Sequence, residues 1–310
     1  MKLISVMTPC YNEEANLLEL REQVRQAFEK LQDVEHEHIF IDNSSTDSTP
    51  EVLRRLAADD RRVRVILNSR NFGPVRSSYY GLLQCRGDAV IPIAADLQDP
   101  PTLIPDLIEQ WRRGAKKVLA VKRGSDEAML MRRIRRLYYR LVNRLSEIPL
   151  TENFHGFGLY DRLVIETLKQ MNDPYPYFRG LIAEIGLEQT IIEFEQPARK
   201  RGKSSYNFYR LYDLAMLGIT SHSRVPLRLA TMIGFLMSGL SFLAGMGYLV
   251  YKLLFWNEFT LGIAPILVAV FFLGSVQLFF TGILGEYIGF IYTHVQKRPL
   301  VIEKERINFD

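Results

Sequence analysis

The stretch from Val90 to Pro101 reads VIPIAADLQDPP, an apolar run with a polar end. Its first half predicts a buried strand, and Asp96, Gln98 and Asp99 follow where that strand stops. In open parallel sheets, ligands bind beyond the carboxyl ends of the strands, and oxygen ligands placed there can hold a hard cation against a diphosphate. The alanine pair Ala94-Ala95 stands just before Asp96, where a further carboxylate would have strengthened such a site.

Around this strand, residues 1 to 125 alternate strand-like and helix-like segments. Such alternation predicts an α/β domain with a mostly parallel sheet wrapped by helices. The helix-capping residues and prolines agree with this pattern, because Ser48 or Thr49 caps a helix that opens with Pro50, and Pro100-Pro101 stop the fourth strand. The predicted strands are Leu3 to Met7, His38 to Ile41, Val63 to Leu67, Ala89 to Ala94 and Lys117 to Val121.

The second part of the chain has a different composition. The whole chain of 310 residues is 47% hydrophobic and 24% charged, but residues 229–251 and 259–285 contain no Asp, Glu, Lys or Arg. Each stretch exceeds the roughly 20 residues that cross a bilayer as a helix. Buried core helices are the alternative, but two such segments in succession rarely fit inside a soluble domain of this size. We therefore expect two transmembrane helices.

The charges that flank these two spans predict their orientation. The connector from Lys252 to Glu258 holds one Lys and one Glu, whereas basic residues lie outside the pair of spans, at Arg224, Arg228, Lys297, Arg298, Lys304 and Arg306. By the positive-inside rule both termini are cytoplasmic. We expect a multi-pass protein of the plasma membrane or cell inner membrane, with its α/β domain in the cytoplasm. Glycines in the first span, such as Gly234 and Gly239, allow homo-oligomerisation or simply close packing of the two helices.

Two amphipathic segments predict contact with membrane lipids. Met131 to Arg144 places six arginines among apolar residues, and Tyr206 to Thr220 places apolar and aromatic residues just before the first span. A solvated charged face is the alternative for the basic segment, but anionic headgroups attract such a helix on the cytoplasmic side. The net charge of the chain is only +4, so its basicity is local and no nucleic-acid partner is indicated.

Three further polar loops follow predicted strands. They are Thr8 to Glu14, Asp42 to Asp47 and Asn68 to Gly73, in which Arg70 could face a phosphate. Taken alone, the first loop is only a strand-to-helix junction, and helix capping by Ser and Asp is an equally good interpretation of the second. Their coincidence with Asp96, Gln98 and Asp99 at one sheet edge favours a ligand site that holds a base, a ribose and phosphates.

The ordered motifs resemble the inverting glycosyltransferases of family 2 with a GT-A fold, and in particular their membrane-anchored polyprenyl-phosphate branch. The motifs are TPCYNEE (8–14), DNSSTDST (42–49), RNFG (70–73), ADLQDPP (95–101), RKRGKSSYNFY (199–209) and LGEYIGFIYTHVQKRP (284–299). The resemblance implies a Rossmann-like GT-A catalytic domain at residues 1–205 and an interfacial amphipathic helix at 206–226. Two transmembrane helices would occupy 227–292, followed by a cytoplasmic tail at 293–310.

The resemblance also implies roles for individual residues. A divalent cation, Mg²⁺ or Mn²⁺, would be held by Asp96 and Gln98 against the donor diphosphate. The expected nucleotide-binding residues are Pro9, Tyr11, Glu13, Asp42, Asn43, Arg70 and Asn71. The expected catalytic residues are Asp96, His155, Arg199 and Ser204. The residues expected to contact the lipid phosphate are Arg123, Arg133, Arg136, Arg199 and Ser204.

The sequence departs from the family pattern at three positions. The first acid of the family's metal box is Ala94, the second acid of the base loop is Asn43, and the Asp of the family's Gly-Asp-Phe-Arg-Leu stretch is Gly156. We interpret these as one subgroup with an altered donor, in which His155 or Asn153 takes over part of the acceptor-side role. The alternative is that His155 only packs. A cytosine base is one option for Asn43, because an amide can donate as well as accept a hydrogen bond.

We therefore expect an enzyme that transfers a sugar from a nucleotide-sugar donor to polyprenyl phosphate, either undecaprenyl or dolichyl phosphate, with inversion. Its place would be the cytoplasmic membrane face, in the assembly or modification of cell-envelope glycans. The alternative is a non-catalytic nucleotide- or lipid-binding protein of the same fold that has lost acids at Ala94 and Gly156. A processive polysaccharide synthase is disfavoured, since the chain has no QxxRW motif.

Overall fold

The computed structural model describes residues 1–31, 33–123, 151–197, 225–255 and 263–309. Strands and helices alternate from residue 1 to residue 123, as the sequence predicts. The described strands are β1 (Lys2–Cys10), β2 (Val34–Asp42), β3 (Val63–Asn68), β4 (Ala89–Pro92), β5 (Lys117–Lys122), β6 (Phe154–Asp161), β7 (Gln189–Phe194) and β8 (Glu303–Ile307). The described helices are α1 (Leu17–Glu29), α2 (Thr49–Asp59), α3 (Pro74–Gln84), α4 (Ile104–Arg112), α5 (Arg162–Met171), α6 (Phe178–Glu184), α7 (Val225–Leu254) and α8 (Ile263–Val295).

The described strands form one sheet in the order β7-β5-β6-β4-β1-β2-β3-β8. β1 pairs in parallel with both β2 and β4, β2 with β3, and β5 with β7, while β6 and β8 pair antiparallel with their neighbours. The predicted α/β domain with a mostly parallel sheet is confirmed. The strand order reverses between β1 and β4, so the crevice beyond their carboxyl ends is the expected ligand site of this topology.

Apolar side chains cover both faces of the sheet because successive residues of a strand point to opposite sides. Val6 and Phe40 face a cluster that includes α1, α2 and α4, whereas the adjacent Met7 and Ile39 face a cluster that includes α3 and α5. The sheet is therefore the middle of three layers. Cys10 and Cys85 are both buried and form no disulfide, so both serve as packing residues.

The last strand, β8, was not foreseen from the sequence. It pairs antiparallel with β3, so the segment after α8 adds an edge strand to a sheet that begins near residue 1. The backbone N–H of Ser69 donates to the carbonyl of Ile302 at 2.9 Å. At the far end, the Nδ2 of Asn308 donates to the carbonyls of Ala57 and Val63 at 2.7 and 2.9 Å.

Two helices, Val225–Leu254 and the Ala269–Val295 part of α8, are long and apolar enough to cross a membrane. Large apolar side chains on both are exposed, such as Phe235 at 83% and Leu278 at 74%. In a soluble domain such helices would bury one face, so their uniform exposure fits the predicted spans. The basic segment from Met131 to Arg144 and residues 206–224 of the predicted interfacial helix lie outside the described residues.

Candidate active site

The loops that follow β1 and β2 are tied together by short hydrogen bonds. Asn12 has a left-handed backbone, with φ 58°, a conformation that asparagine tolerates better than most residues. Its backbone N–H donates to the hydroxyl of Ser45 at 2.9 Å, and its Oδ1 accepts from the backbone N–H of Thr46 at 2.8 Å. The N–H of Glu13 donates to the hydroxyl of Thr49, also at 2.9 Å. The two loops therefore form one rigid rim.

Three of the predicted nucleotide-binding residues lie on this rim. Pro9 is next to last in β1 and lines a cavity described below, while the Tyr11 ring is 43% exposed. Asp42 is 2% exposed, and its carboxylate accepts from the backbone N–H of Ser45 at 3.1 Å and from the Ser45 hydroxyl. Burial raises the pKa of Asp42, and the hydrogen bonds from Ser45 oppose that rise. An exposed ring beside a buried carboxylate suits recognition of a planar base.

Asn43 joins the second loop to the third through its side-chain amide. Its Oδ1 accepts from the backbone N–H of Phe72 at 2.9 Å, which fixes the orientation of the amide. Its Nδ2 then donates to the Oδ1 of Asn71 at 2.9 Å, and that oxygen also accepts from the N–H of Gly73. Asn68 adds a contact from its Nδ2 to the Oδ1 of Asn43 at 3.3 Å. Asn43 and Asn71 are thus brought together as parts of one amide network.

Arg70 lies at the outer side of the same loop. Its guanidinium lies over the Phe72 ring, 4.0 Å from the centroid, and its Nη1 donates to the carbonyl of Asn71 at 3.2 Å. Both contacts hold the cation at the exposed edge of the nucleotide loops without neutralising it. Stacking on an aromatic ring leaves the guanidinium edge available to an anion.

The loop after β4 carries the two predicted metal ligands. Leu97 has φ 61°, and the backbone N–H of Gln98 donates to the Oδ1 of Asp96 at 3.2 Å. The Nε2 of Gln98 lies 3.5 Å from the carbonyl of Pro197, so its Oε1 is the end that suits a cation. No group of three or more His, Cys, Asp or Glu side chains suited to a metal occurs in the described part of the chain. The residues fit a divalent cation that keeps waters and takes further oxygens from a diphosphate.

Asp99 and His155 form a close pair beside this loop. The Nε2 of His155, near the start of β6, lies 2.7 Å from the Oδ1 of Asp99, and the backbone N–H of Ala94 donates to the Oδ2 at 3.0 Å. Asp99 is 3% exposed. A buried carboxylate requires partners of this kind, so the two bonds account for its position. The sequence predicts that Asp99 follows the fourth strand, but it assigns this residue no metal-binding, nucleotide-binding or catalytic role.

A cavity of about 460 Å³ opens between the end of the sheet, α3 and the start of α6. Its walls are largely apolar, and the charged or titratable side chains among its lining residues are Asp99, His155, Arg179, Tyr79 and Tyr177. Ala94 and Gly156, two of the residues that differ from the family pattern, both line this cavity. Positions 94 and 156 therefore add no carboxylate to this cavity, and Asp99 is its acidic side chain among the described lining residues.

Gly156 occupies a backbone conformation that excludes most other residues. Its φ is +119°, and a Cβ at this position would lie 3.5 Å from the Phe178 ring. Only glycine adopts this φ without strain. The Tyr160 hydroxyl fixes the same peptide by donating to the Gly156 carbonyl at 2.8 Å. The aspartate of the family pattern would not fit here without a change in the local backbone.

The remaining predicted residues lie apart from this group or outside the described structure. Arg123 follows β5 and pairs with Glu193 at 3.2 Å, and both side chains are more than half exposed. Asn153 precedes β6 with φ 57°, and its carbonyl accepts from the N–H of Lys122. Arg133, Arg136, Arg199 and Ser204 lie outside the described residues. Arg179 was missed, since no motif marks it, although its position on the cavity wall makes it a candidate.

Comparison with known proteins identifies similar chains along almost the whole length. Residues 5–169 match the family model described as Glycosyl transferase family 2. The chain is 38% identical over 303 residues to the SfII prophage-derived bactoprenol glucosyl transferase of Shigella flexneri, covering 97% of each chain. It is 37% identical over 302 residues to the prophage bactoprenol glucosyl transferase homolog of Escherichia coli K12, covering 97% of this chain and 98% of that one. Among solved structures, glucosyl-3-phosphoglycerate synthase from Mycobacterium tuberculosis is 22% identical, with a TM-score of 0.47. The match covers 71% of this chain and 76% of that one.

Proposed function

Because the chain belongs to glycosyltransferase family 2, we propose that it transfers a sugar from a nucleotide-sugar donor to polyprenyl phosphate. The two relatives described above are named bactoprenol glucosyl transferases, and each matches nearly the full chain, including both apolar helices. The observation that carries the proposal is the gathering of four polar loops at the carboxyl ends of β1 to β4, the edge where this topology binds its ligands.

The nucleotide would lie on the rim formed by the loops after β1 and β2 and on the adjoining loop after β3. Tyr11 supplies an exposed aromatic face, and Asp42 supplies a buried carboxylate for the base or ribose. Pro9 lies at the end of β1 and Glu13 lies in the loop that follows it. Arg70 offers a cation at the outer edge, where the phosphates would follow. Asn43 and Asn71 would shape this rim through their mutual bond.

A divalent cation, Mg²⁺ or Mn²⁺, would be held by Asp96 and Gln98. When bound, it would stabilise the negative charge that grows on the nucleoside diphosphate as the glycosidic bond breaks. The protein's own part is to present both oxygen donors from one short loop, whose turn is fixed by the bond from the Gln98 N–H to Asp96. Hard oxygen donors are the ligands that these cations prefer.

The phosphate acceptor needs little help from a general base on the protein. A phosphate monoester is already an anion near neutral pH, so one of its oxygens can attack the anomeric carbon directly. The new bond forms between that carbon and the phosphate oxygen as the bond from the carbon to the donor diphosphate breaks. Attack from the opposite face inverts the configuration. Two described residues that line the cavity, His155 and Arg179, would receive the acceptor anion, and Arg123, Arg133, Arg136, Arg199 and Ser204 remain predictions for it.

The apolar helices α7 and α8 would anchor the enzyme in the membrane that contains its lipid acceptor. Both termini and the catalytic domain would be cytoplasmic, in the cell inner membrane or plasma membrane, as the flanking charges indicate. Contact of the basic segments with membrane lipids and homo-oligomerisation through the spans remain predictions. The products would serve the assembly or modification of cell-envelope glycans.

The proposal is tested with the full-length protein in liposomes that contain polyprenyl phosphate. A panel of radiolabelled nucleotide sugars is added with Mn²⁺ or Mg²⁺, and label in the lipid extract is measured. The wild-type protein should label the lipid from one donor. Asp96→Asn should lower that rate at least a hundredfold, because it removes the charged member of the cation pair.

The control is Asp106→Asn, which makes the same chemical change on an exposed position of α4 and should leave the rate within twofold. Nucleotide binding without lipid labelling across the whole panel would contradict the proposal and favour a non-catalytic binding protein. Equal rates for Asp96→Asn and Asp106→Asn would remove the role assigned to Asp96.

A further inference from the structure

The carboxylate of Asp99 bridges two parts of the site that are far apart in sequence. One oxygen accepts from the backbone of Ala94, in the loop that carries Asp96 and Gln98, and the other contacts His155 on β6. The carboxylate is almost completely buried, so both bonds are made away from bulk water, where charge-assisted bonds are strongest. Asp99 therefore fixes the position of His155 relative to the metal loop.

The contact also determines the protonation pattern of the imidazole. An ionised carboxylate only accepts hydrogen bonds, so the Nε2 of His155 must carry the proton that it shares with Asp99. The second nitrogen, Nδ1, has no hydrogen-bond partner among the described residues. The side chain is 30% exposed and lines the cavity, with the Phe194 ring 6.3 Å away. One nitrogen is thus committed to Asp99, and the other is available to a ligand.

The surroundings of His155 favour an anionic ligand. The contact with Asp99 occupies one nitrogen of His155, and Arg179 places a cation on the wall of the same cavity. Ala94 and Gly156 line this cavity and carry no charge, although the family pattern has acids at both positions. Two acids there would repel an incoming phosphate, whereas a methyl group and a glycine do not.

We propose that Asp99 is a positioning residue that orients His155, so that the Nδ1 edge of the imidazole binds the phosphate of the lipid acceptor in the cavity. This inference rests on the proposed function and adds a residue that the family resemblance did not supply. Asp99 contributes without touching the substrate.

The test measures binding rather than turnover. The full-length protein in lipid nanodiscs is titrated with polyprenyl phosphate and, separately, with the polyprenol of the same length, without any donor. The wild-type protein should bind the phosphate at least tenfold more tightly than the alcohol. Asp99→Asn and His155→Gln should each weaken phosphate binding about tenfold and leave alcohol binding unchanged. The double variant should be no weaker than His155→Gln, since Asp99 acts through His155.

The matched control is His294→Gln. His294 also faces an aspartate, Asp173 at 3.4 Å, but does not line the cavity, so phosphate binding should not change. If Asp99→Asn does not fold, His155→Gln and its comparison with His294→Gln still decide the question.

The outcomes separate the two claims. A wild-type protein that binds the phosphate no better than the alcohol overturns both the proposed acceptor and this inference. A wild-type preference that persists in His155→Gln overturns the inference alone. Additive losses in the double variant would show that Asp99 does not act through His155.

Discussion

At the scale of single residues, the departures from the family pattern are accommodated by their local contacts. Asn43 uses both ends of its amide inside the protein, on Phe72 and Asn71, so its first role is to hold the loop after β3. An aspartate at this position could still accept from Phe72, but it would face the Asn71 oxygen without a proton to donate. Any selection of a cytosine base by Asn43 remains a prediction, and binding of CDP, UDP and GDP to the protein would test it.

Restoring the two missing acids should have opposite results. Ala94 is partly exposed beside Asp96, so Ala94→Asp should fold and should lower the Mn²⁺ concentration for half-maximal activity several-fold, because it adds a charged oxygen ligand. Gly156→Asp forces an L-residue to φ +119°, at a cost of about 1–3 kcal/mol. It should lower the thermal unfolding midpoint without any gain in activity.

Thermal unfolding and a Mn²⁺ titration of the two purified variants check this contrast. A stable Gly156→Asp protein with higher activity would contradict the backbone argument. An unchanged Mn²⁺ requirement in Ala94→Asp would show that position 94 does not reach the cation.

The individual contacts could be predicted only in part. The polar loops were visible in the sequence because parallel strands end at one edge, and Asp42, Asn43, Arg70 and Asn71 do lie in connected loops. The pair of Asp99 and His155 could not be predicted, because it depends on the antiparallel pairing of β6 with β4, and 56 positions separate the two residues. A single sequence carries no signal for such a contact.

At the scale of elements, β8 is the clearest departure from expectation. Glu303–Ile307 reads EKERI, a short charged segment with none of the apolar alternation typical of a half-buried strand. It becomes a strand because its backbone completes the exposed edge of β3 and because both of its flanks are anchored, at Ile302 and Asn308. Covering that edge also protects it from pairing with other chains.

The anchors of β8 should differ in strength. Glycine tolerates the φ of 61° at position 308, so Asn308→Gly does not strain the backbone. The variant loses two side-chain hydrogen bonds to backbone carbonyls and should lower the free energy of unfolding by about 1–3 kcal/mol. Glu305→Ala removes a partly exposed ion pair with Arg54 and should cost less than about 1 kcal/mol. Denaturant unfolding of both variants checks the ranking. A larger loss for Glu305→Ala would mean that the ion pair, and not Asn308, anchors β8.

At the scale of the whole molecule, the segment that leads into β8 connects the second apolar helix to the sheet edge that carries the nucleotide loops. Only residues 296–301 separate the end of α8 from Ile302, which bonds to Ser69 beside the nucleotide loop. A fully extended segment of that length spans roughly 20–25 Å. The catalytic edge is therefore tethered close to the end of α8, as an enzyme with a membrane-embedded acceptor requires. The alternation and the two apolar stretches predicted both parts of the molecule, but not this tether.

The stability of the whole domain should depend on pH through His36. Burial, and then the charges of Arg21 and Arg62, lower the pKa of His36 to about 4, against about 6.5 in the unfolded chain. The unfolded state therefore binds the additional proton between these values. The stability contributed by this residue is fully present above about pH 6.5 and is lost as the pH falls through 4, by roughly 3 kcal/mol in total.

The measurement is the free energy of unfolding at several pH values for the wild type and His36→Gln. Glutamine can still accept from Arg21, whose Nη1 lies 3.3 Å from the His36 Nε2, but it does not titrate. The wild type should lose more stability than the variant between pH 6.5 and 4. Parallel curves would contradict the assignment to His36.

The central claim is that this chain makes a polyprenyl monophosphate sugar. The most direct test is mass spectrometry of the lipid formed by the full-length wild-type protein from polyprenyl phosphate and the donor that labels it. The product should show a mass increase of one glycosyl residue and a single phosphorus atom, and its NMR spectrum should show an anomeric configuration inverted relative to the donor. A product with two phosphorus atoms, or with retained configuration, would contradict the claim.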